Sequence, residues 1–385
     1  MKVLMLTWEY APYFVGGLGI ACKYLFPELM EKGISLDVVL PYGYHEAHNE
    51  LGTSIYSTDS IALRNPLIDT TRAGGQVPLY PKNLVECINH YAHYMHTFVS
   101  NSSFDIIHAH DWMGFQAGMI AKKISGKPLI VHVHATAFNT HGGEDIDDDV
   151  YAIEYVGMHT ADLVIAVSEM MKTIIINEYA IPPEKIVVIH NGMAPITYVD
   201  TPKSKNATPT VLFLGRLTKQ KGPQYFLKMV QEIKRRRPEV RFIMAGTGTM
   251  EKLLHTQAEQ LGIKDVVRFT GFLDQKQAYD MFHAADIFIM PSTSEPFGLT
   301  CLEALSCGTP VIISNQSGAA EVLDHCIKVD FWDIEAMVNA VLTLLDDAQL
   351  CETLVTNGIA QIKELTWERV AQNCVNVYKK AVGST

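Results

Sequence analysis

Nowhere in its 385 residues does the sequence run some eighteen apolar residues together, so nothing in it reads as a span of the ~30 Å hydrocarbon layer. Charge is sparse as well, at 19% Asp, Glu, Lys and Arg, and cations are the scarcer sign: 31 Lys plus Arg stand against 42 Asp plus Glu, a net charge of −11. Such a surface repels a phosphate backbone unless its cations are gathered in one place, which argues against nucleic acid as a partner. The seven cysteines (22, 87, 301, 307, 326, 351 and 374) are odd in number and contain no CxxC pair, so neither a disulfide framework nor a zinc ribbon is indicated. A reducing, cytoplasmic setting is the expectation. The opening Met1-Lys-Val-Leu-Met-Leu6 run ends at Thr7-Trp8-Glu9, too early for the core of a signal peptide, and reads as a first strand.

What is present is an ordinary globular composition, 48% hydrophobic, with length for two to three domains of about 150 residues. Strand-like strings at 2–7, 35–40, 104–109, 129–134, 162–167 and 186–190 alternate with helix-period stretches such as 18–32, 112–124 and 169–179. Gly33 stands where a helix C-cap is expected. Residues 193–209 are polar and aperiodic, with Pro195, Pro202 and Pro209, and read as a linker. The alternation resumes with strands at 210–215, 240–245, 266–270, 286–290, 310–313 and 326–329, and ends in a helical tail from about 333 to 381. Val-, Ile- and Leu-rich strands without polar alternation suit sheets covered on both faces, so the fold class is α/β with two doubly wound domains. Ligands of such sheets bind beyond the carboxyl ends of the strands.

Several motifs fall at those ends. Gly16-Gly17-Leu18-Gly19 lies between the first strand and a helix, where glycine lets backbone approach an anion and free helix N–H groups await it. It is not the spaced GxGxxG fingerprint. His108-Ala-His110-Asp111-Trp112 and His132-Val-His134-Ala-Thr136 end two successive strands; residues two apart on a strand share a face, so each histidine pair points one way. Zinc is conceivable from four imidazoles, but neither CxxC nor HExxH accompanies them, and no metal is expected. Glu144-Asp145-Ile-Asp147-Asp148-Asp149 fails the EF-hand template, because Val150 stands where glycine is required and Val156 where the bidentate glutamate belongs; a helix start or solvated loop explains it. Lys234 to Arg237 close a helix before Pro238, where cations complement the dipole.

The second half offers Gly215-Arg216-Leu-Thr-Lys-Gln-Lys221-Gly222 after its first strand. Two cations five apart are placed to clamp a diphosphate, Arg216 by its planar fork and Lys221 as a point charge, the alternative being an exposed turn with solubilising charge. Pro291-Ser-Thr-Ser-Glu295-Pro-Phe-Gly298-Leu299-Thr300-Cys-Leu-Glu303 follows another strand. Here Glu295 lies in a strand-to-helix loop, Gly298 to Thr300 begin a helix whose N–H groups suit phosphate, and Glu303 sits among Leu302, Ala304 and Leu305. Two carboxylates eight apart beside an anion site suit hydroxyl-rich ligands. Cys301 and Cys307 read as packing residues.

Together these segments, with Asn191-Gly192 and Gly318-Ala-Ala-Glu321-Val, resemble the retaining family 4 glycosyltransferases of GT-B fold, nearest the glycogen and starch synthase type, over essentially the whole length. The resemblance implies two Rossmann-like domains facing across a deep cleft: an acceptor-side domain at 1–200, a nucleotide-sugar domain at 205–365, and a final helix, about 366–385, returning to the first. It implies that Arg216 and Lys221 bind the donor diphosphate, that Glu295 meets the transferred sugar and Glu303 the ribose. Gly16, Gly17, Gly298, Leu299 and Thr300 would complete the phosphate cradle. His134 would lie beside the reacting sugar, with His110 and Asp111 lining the acceptor side. Transfer would proceed with no metal, no cofactor and no protein nucleophile. Partners would be a nucleotide-sugar donor, UDP- or ADP-glucose, and a saccharide acceptor, an α-glucan among the candidates.

Bacterial glycogen synthases carry lysine where Val15 stands and cysteine where Phe297 stands, and they are longer. Another sugar, or a small or lipid-linked acceptor, is therefore also admitted. Gly246-Thr-Gly248 raises a rival of another class, an NAD-dependent oxidoreductase, although the third glycine of its fingerprint is lacking. A nucleotide-sugar binder without turnover would use the same clamp.

Overall fold

A computed structural model describes residues 1–11, 16–42, 53–61, 83–140, 146–194 and 208–383. The chain divides into two compact units, one made of Met1–Ala137, Asp145–Gly192 and Trp367–Thr385, the other of Phe138–Glu144 and Met193–Thr366. Of the expected linker at 193–209, residues 195–207 lie outside the described ones, as do Val15 and, in the acidic run, Glu144 and Asp145.

In the first unit the strands are β1 (Lys2–Leu6), β2 (Ser35–Tyr42), β3 (Thr53–Ile61), β4 (Ile106–His110), β5 (Leu129–Val133), β6 (Leu163–Ala166) and β7 (Ile186–Val188). They form one sheet in the order β3-β2-β1-β4-β5-β6-β7, with every neighbouring pair parallel. Its helices are α1 (Gly17–Glu31), α2 (Leu84–Ser100), α3 (Asp111–Ser125), α4 (Asp148–Thr160) and α5 (Glu169–Tyr179). β4, β5 and β6 are buried along their whole length, which is what strings such as Leu-Ile-Val-His-Val require when helices cover both faces. The acidic run serves as a cap: Asp147 accepts from the backbone N–H groups of Asp149 and Val150 at the start of α4.

The second unit holds β8 (Thr210–Leu214), β9 (Arg241–Ala245), β10 (Val267–Gly271), β11 (Ile287–Met290), β12 (Val311–Ser314) and β13 (Ile327–Val329), in the order β10-β9-β8-β11-β12-β13 and again all parallel. Around them run α6 (Pro223–Arg236), α7 (Glu251–Gln260), α8 (Gln275–Ala284), α9 (Leu299–Ser306), α10 (Ile334–Asp346) and α11 (Ala348–Ile362). Local chemistry sets several of their ends. Gly222, at φ +68°, turns the chain into Pro223 at the first position of α6, and Asp274 and Gln277 form a capping box on α8. The basic end of α6 is a solvated ion-pair rim: Lys234 meets Asp265, Arg235 meets Glu232, Arg236 meets Glu335, and Arg237 meets Glu239 and Asp346.

The last helix, α12 (Trp367–Gly383), belongs to the first unit. Trp367 stacks on Tyr24 of α1 with ring centroids 6.2 Å apart, Lys32 pairs with Glu368 at 3.4 Å, and the Tyr378 hydroxyl reaches His108 Nδ1 at 2.7 Å. No helix among the described residues is long and apolar enough to cross a membrane.

Candidate functional site

In a doubly wound sheet the connections on either side of one strand pair run to opposite faces, which leaves a crevice at the carboxyl ends of that pair. The second unit has this switch point between β8 and β11, and the first has it between β1 and β4. The motifs at Gly16, His108–Trp112, Gly215–Gly222 and Pro291–Glu303 end or follow these four strands, and His132–Thr136 ends the neighbouring β5.

After β8 the chain makes the turn Gly215–Gly222, and after β11 the loop Pro291–Gly298. Their backbones touch: a Cβ on Gly222 would lie 2.0 Å from the Pro291 carbonyl oxygen, and Thr293 N donates to the Gln220 oxygen at 2.8 Å. On its other side the loop is tied to the segment after β12, with Glu295 N donating to Gln316 O at 2.8 Å and Gly318 N to Glu295 O at 3.0 Å. Ser294 Oγ accepts from Asn139 Nδ2 at 2.6 Å. Within this clamp Lys221 Nζ meets Glu295 Oε2 at 2.5 Å, and Ser292 Oγ donates to the same oxygen at 3.1 Å. Both charged side chains are largely buried, 18% and 7% exposed, so the pair is a fixed feature of the crevice rather than a loose surface contact.

Arg216 is exposed and enters no ion pair among the described residues. Gly298, at φ +105°, caps α9 without any side chain on the helix's first N–H groups, so those of Leu299 and Thr300 are left for another acceptor. One turn on, Glu303 is half-buried, its carboxyl has no hydrogen-bond or ion-pair partner among the described residues, and burial lifts its pKa to about 7. The second switch point thus carries an unpaired guanidinium, a held Lys–Glu pair, open helix N–H groups and an unpartnered carboxyl.

The first switch point is built differently. Glu9, buried beyond β1, accepts from Gly16 N and Gly19 N, both at 3.2 Å, and so caps α1 itself. Gly16 and Gly17 have ordinary φ, and a Cβ on either would meet nothing within 4 Å; packing in this structure gives no reason for glycine there. Asp111 opens α3 at φ +54°, a strained conformation outside glycine, and its Oδ1 accepts from His134 N at 2.7 Å and Ala135 N at 3.3 Å. Burial raises its pKa to about 8. Glu154 of α4, also buried and lifted to about 7 by desolvation, accepts from Ala137 N and from the Tyr179 hydroxyl. Asp111 and Glu154 therefore hold the stretch after β5 from both ends.

His134 sits at the edge of this region, 9% exposed, its pKa pushed down to about 3 by burial. His110 departs from the expectation that it lines an acceptor. It is fully buried, with Nδ1 3.0 Å from His134 Nε2 and Nε2 3.2 Å from Met5 Sδ, so it supports His134 from beneath and presents nothing to a surface.

Sequence reasoning missed Glu9 and Ser292, whose partners lie within ten residues in loops of no regular spacing, and Glu154 and Asn139, whose partners are 17 to 155 residues away. It also raised a dinucleotide motif at Gly246 and Gly248 that the fold explains otherwise. A Cβ at Gly246 would fall 1.9 Å from Gly215 O and one at Gly248 2.4 Å from Leu217 O, so both glycines let their turn pack against the Gly215–Leu217 backbone.

Two doubly wound parallel-sheet units, each with polar groups at its switch point, define a class of nucleotide-using α/β proteins, and similarity to known proteins resolves it further. Residues 15–195 match the family described as Glycosyltransferase Family 4, and residues 198–361 match Glycosyl transferases group 1. An uncharacterised glycosyltransferase of Methanocaldococcus jannaschii is 31% identical, covering 99% of both chains. A glycogen synthase of Mycobacterium tuberculosis is 25% identical over 99% of this chain and 95% of its own. Among solved structures, the sucrose-phosphate synthase of Thermosynechococcus elongatus superposes with a TM-score of 0.79 at 19% identity, covering 100% of both chains. HepE of Anabaena, solved with UDP-glucose, gives 0.71 at 20% identity over 99% of this chain and 100% of that one. The chain belongs to the family 4 glycosyltransferases and has the GT-B fold.

Proposed function

We propose that the chain is a retaining transferase that moves a hexose, glucose, from UDP- or ADP-glucose to a hydroxyl of a saccharide acceptor, an α-glucan first among the candidates. The observation that carries this reading is the second switch point, where free positive charge, open helix N–H groups and the unpartnered Glu303 carboxyl stand together. Each matches one part of a nucleotide sugar. Arg216 and Lys221 neutralise the diphosphate as it departs, an electrostatic term that usually supplies much of the catalysis. The N–H groups of Leu299 and Thr300 hold a phosphate oxygen, and Glu303 accepts from the ribose hydroxyls. Glu295, steadied through one oxygen by Lys221 and Ser292, keeps the other for the hydroxyls of the transferred sugar.

Glu295 is committed to Lys221, which argues against a glycosyl–enzyme ester at that carboxylate. The acceptor hydroxyl instead attacks the face of the anomeric carbon that the diphosphate leaves, and the departing phosphate oxygen takes its proton, so configuration is retained. The side chains supply the positive charge that the leaving group needs, without a resident metal. In the first unit, the Gly16–Gly17 turn has room for a close ligand, and His134, neutral at pH 7, offers a hydrogen bond without charge. Asp111 acts by holding the His134 backbone. The seven cysteines, all free thiols, support a reducing compartment.

The test is release of nucleoside diphosphate from UDP-glucose and ADP-glucose across a panel of glucans, small sugars, sugar phosphates and lipid-linked saccharides, with product mass and anomer read directly. Turnover giving the α-anomer, lost in Arg216→Ala, supports the reading. No release with any pair, or a β-linked product, defeats it.

A further inference from the structure

The described residues hold a second unusual concentration of chemistry, on the face of the first sheet covered by α1 and α12, which adjoins the proposed transfer site only through His134. His108 and His110 of β4, and His132 and His134 at the end of β5, stack in a cluster with ring centroids 4.3 to 5.4 Å apart, His110 lying directly across the ladder from His132. Met5 of β1 pairs with His108 in register, so its thioether is on the same face. All four imidazoles are buried, and three of them no more than 1% exposed.

Buried polar atoms in folded proteins are nearly always hydrogen-bonded. Here four ring nitrogens have no partner among the described residues: His108 Nε2, His134 Nδ1 and both nitrogens of His132. The nitrogens that do have partners are arranged as outer contacts of a metal site are. His108 is oriented through Nδ1 by the Tyr378 hydroxyl at 2.7 Å, which leaves Nε2 bare. His110 is oriented through Nδ1 by His134 at 3.0 Å, which turns Nε2 toward Met5 Sδ, 3.2 Å away. One ring nitrogen from each of His108, His110 and His132 lies within 4.8 Å of the others. Three or four ligand nitrogens around an ion at about 2.0–2.1 Å stand roughly 3.3–3.6 Å apart, so ring movements of up to about 1 Å close the set.

We infer that His108, His110 and His132, with the Met5 thioether as a fourth ligand, form a buried binding site for a monovalent copper ion. The donors choose the ion. All bind through a neutral lone pair, and three of the ring nitrogens on His108 and His132 are unpartnered among the described residues. With no thiolate or carboxylate in the set, the site bears the whole charge of the ion. Because the cost of burying a charge grows as its square, a monovalent ion meets about a quarter of the penalty of a divalent one. Thioether sulfur beside imidazole is likewise a soft donor set suited to Cu(I). The ion would fix His110, and through it the ring of His134. The inference stands on the cluster alone and does not depend on the transferase reading.

Because the rings are buried, the ion enters as the chain folds. The full chain is therefore produced in copper-supplemented and in zinc-supplemented medium, washed with chelator and analysed for metal content and by X-ray absorption. About one copper per chain is expected, with a nitrogen shell and one sulfur. His132→Leu, which removes two unpartnered nitrogens at similar volume, should lose at least nine-tenths of the metal while remaining folded by circular dichroism. Met5→Leu keeps core volume and should remove the sulfur shell and weaken copper retention, and Tyr378→Phe should weaken it about 10- to 100-fold. Absence of copper in the wild-type chain, or equal retention in the His132 and Met5 variants, overturns the proposal. Zinc retained in preference to copper overturns the choice of ion.

Discussion

The two switch points share a topology and differ in electrostatics. At β8/β11 the polar groups are ionic or unpaired: Lys221 is bound to Glu295, and among the described residues the Arg216 guanidinium has no counter-charge and the Glu303 carboxyl no partner. At β1/β4 they are neutral or internally satisfied: the histidines are held uncharged, Asp111 titrates near 8, and Glu9 is taken up by the N–H groups of Gly16 and Gly19. Topology creates the crevice, but the residues that follow the strands decide what it receives. The second crevice offers unpaired positive charge, whereas in the first the Glu9 carboxylate already occupies the N–H groups of Gly16 and Gly19.

The largest expected effect breaks the charged side. Arg216→Ala or Lys221→Ala should lower the transfer rate by about 100- to 1,000-fold, measured as nucleoside diphosphate released. Arg216→Ala should leave the melting temperature unchanged, since the side chain is exposed. A paired substitution of glycines comes next. Gly222→Ala forces a Cβ into the Pro291 carbonyl at positive φ and should destabilise the chain by about 2–4 kcal/mol in chemical denaturation. Gly17→Ala meets nothing within 4 Å and should leave stability intact while weakening donor binding; unchanged binding would remove ligand approach as the reason for that glycine.

Glu303→Gln should weaken nucleotide binding about tenfold by calorimetry, in line with a hydrogen bond to a charged group. With a folded pKa near 7 against 4.5 unfolded, the carboxyl's stabilising protonation is complete below pH 4.5 and lost as pH rises through 7. Donor affinity should therefore rise between pH 6 and 8 as the carboxylate forms, and the Gln variant should flatten that slope. On the neutral side the expected effect is on stability rather than on rate. Asp111, at about 8 folded and 3.8 unfolded, must take up a proton on folding anywhere between those values, a cost that Asn does not carry, so Asp111→Asn should be at least as stable as the wild type at pH 7 and should lose that advantage as pH falls toward 3.8. A large loss at pH 7 would mean that Asp111 acts as a carboxylate and would erase the contrast between the two crevices.

Much of this was legible in the chain. Strand strings such as Ile287–Met290 and Val311–Ser314 announce a sheet covered on both faces, and the Gly222-Pro223 turn and the Asp147 cap are local chemistry. The helix α2 likewise follows from its periodicity, with Cys87, Tyr91, Met95 and Phe98 on the buried face and His90, His93 and His96 exposed. Least visible were partnerships set by strand order. Lys221 and Glu295 are 74 residues apart and meet only because β8 lies beside β11; His108 and Tyr378 are 270 apart.

By itself, then, the sequence determined the two-fold repetition of strand and helix, the residues that follow each strand, and the family. These rest on periodicities and motifs that span a few neighbours. Tertiary structure alone decided which loops share a crevice, which carboxylates are engaged and which are free, and that His110 faces the core. Burial and pairing depend on groups far apart in the chain, and close packing around them, rather than residue type, sets whether a side chain is charged, neutral or open to a ligand.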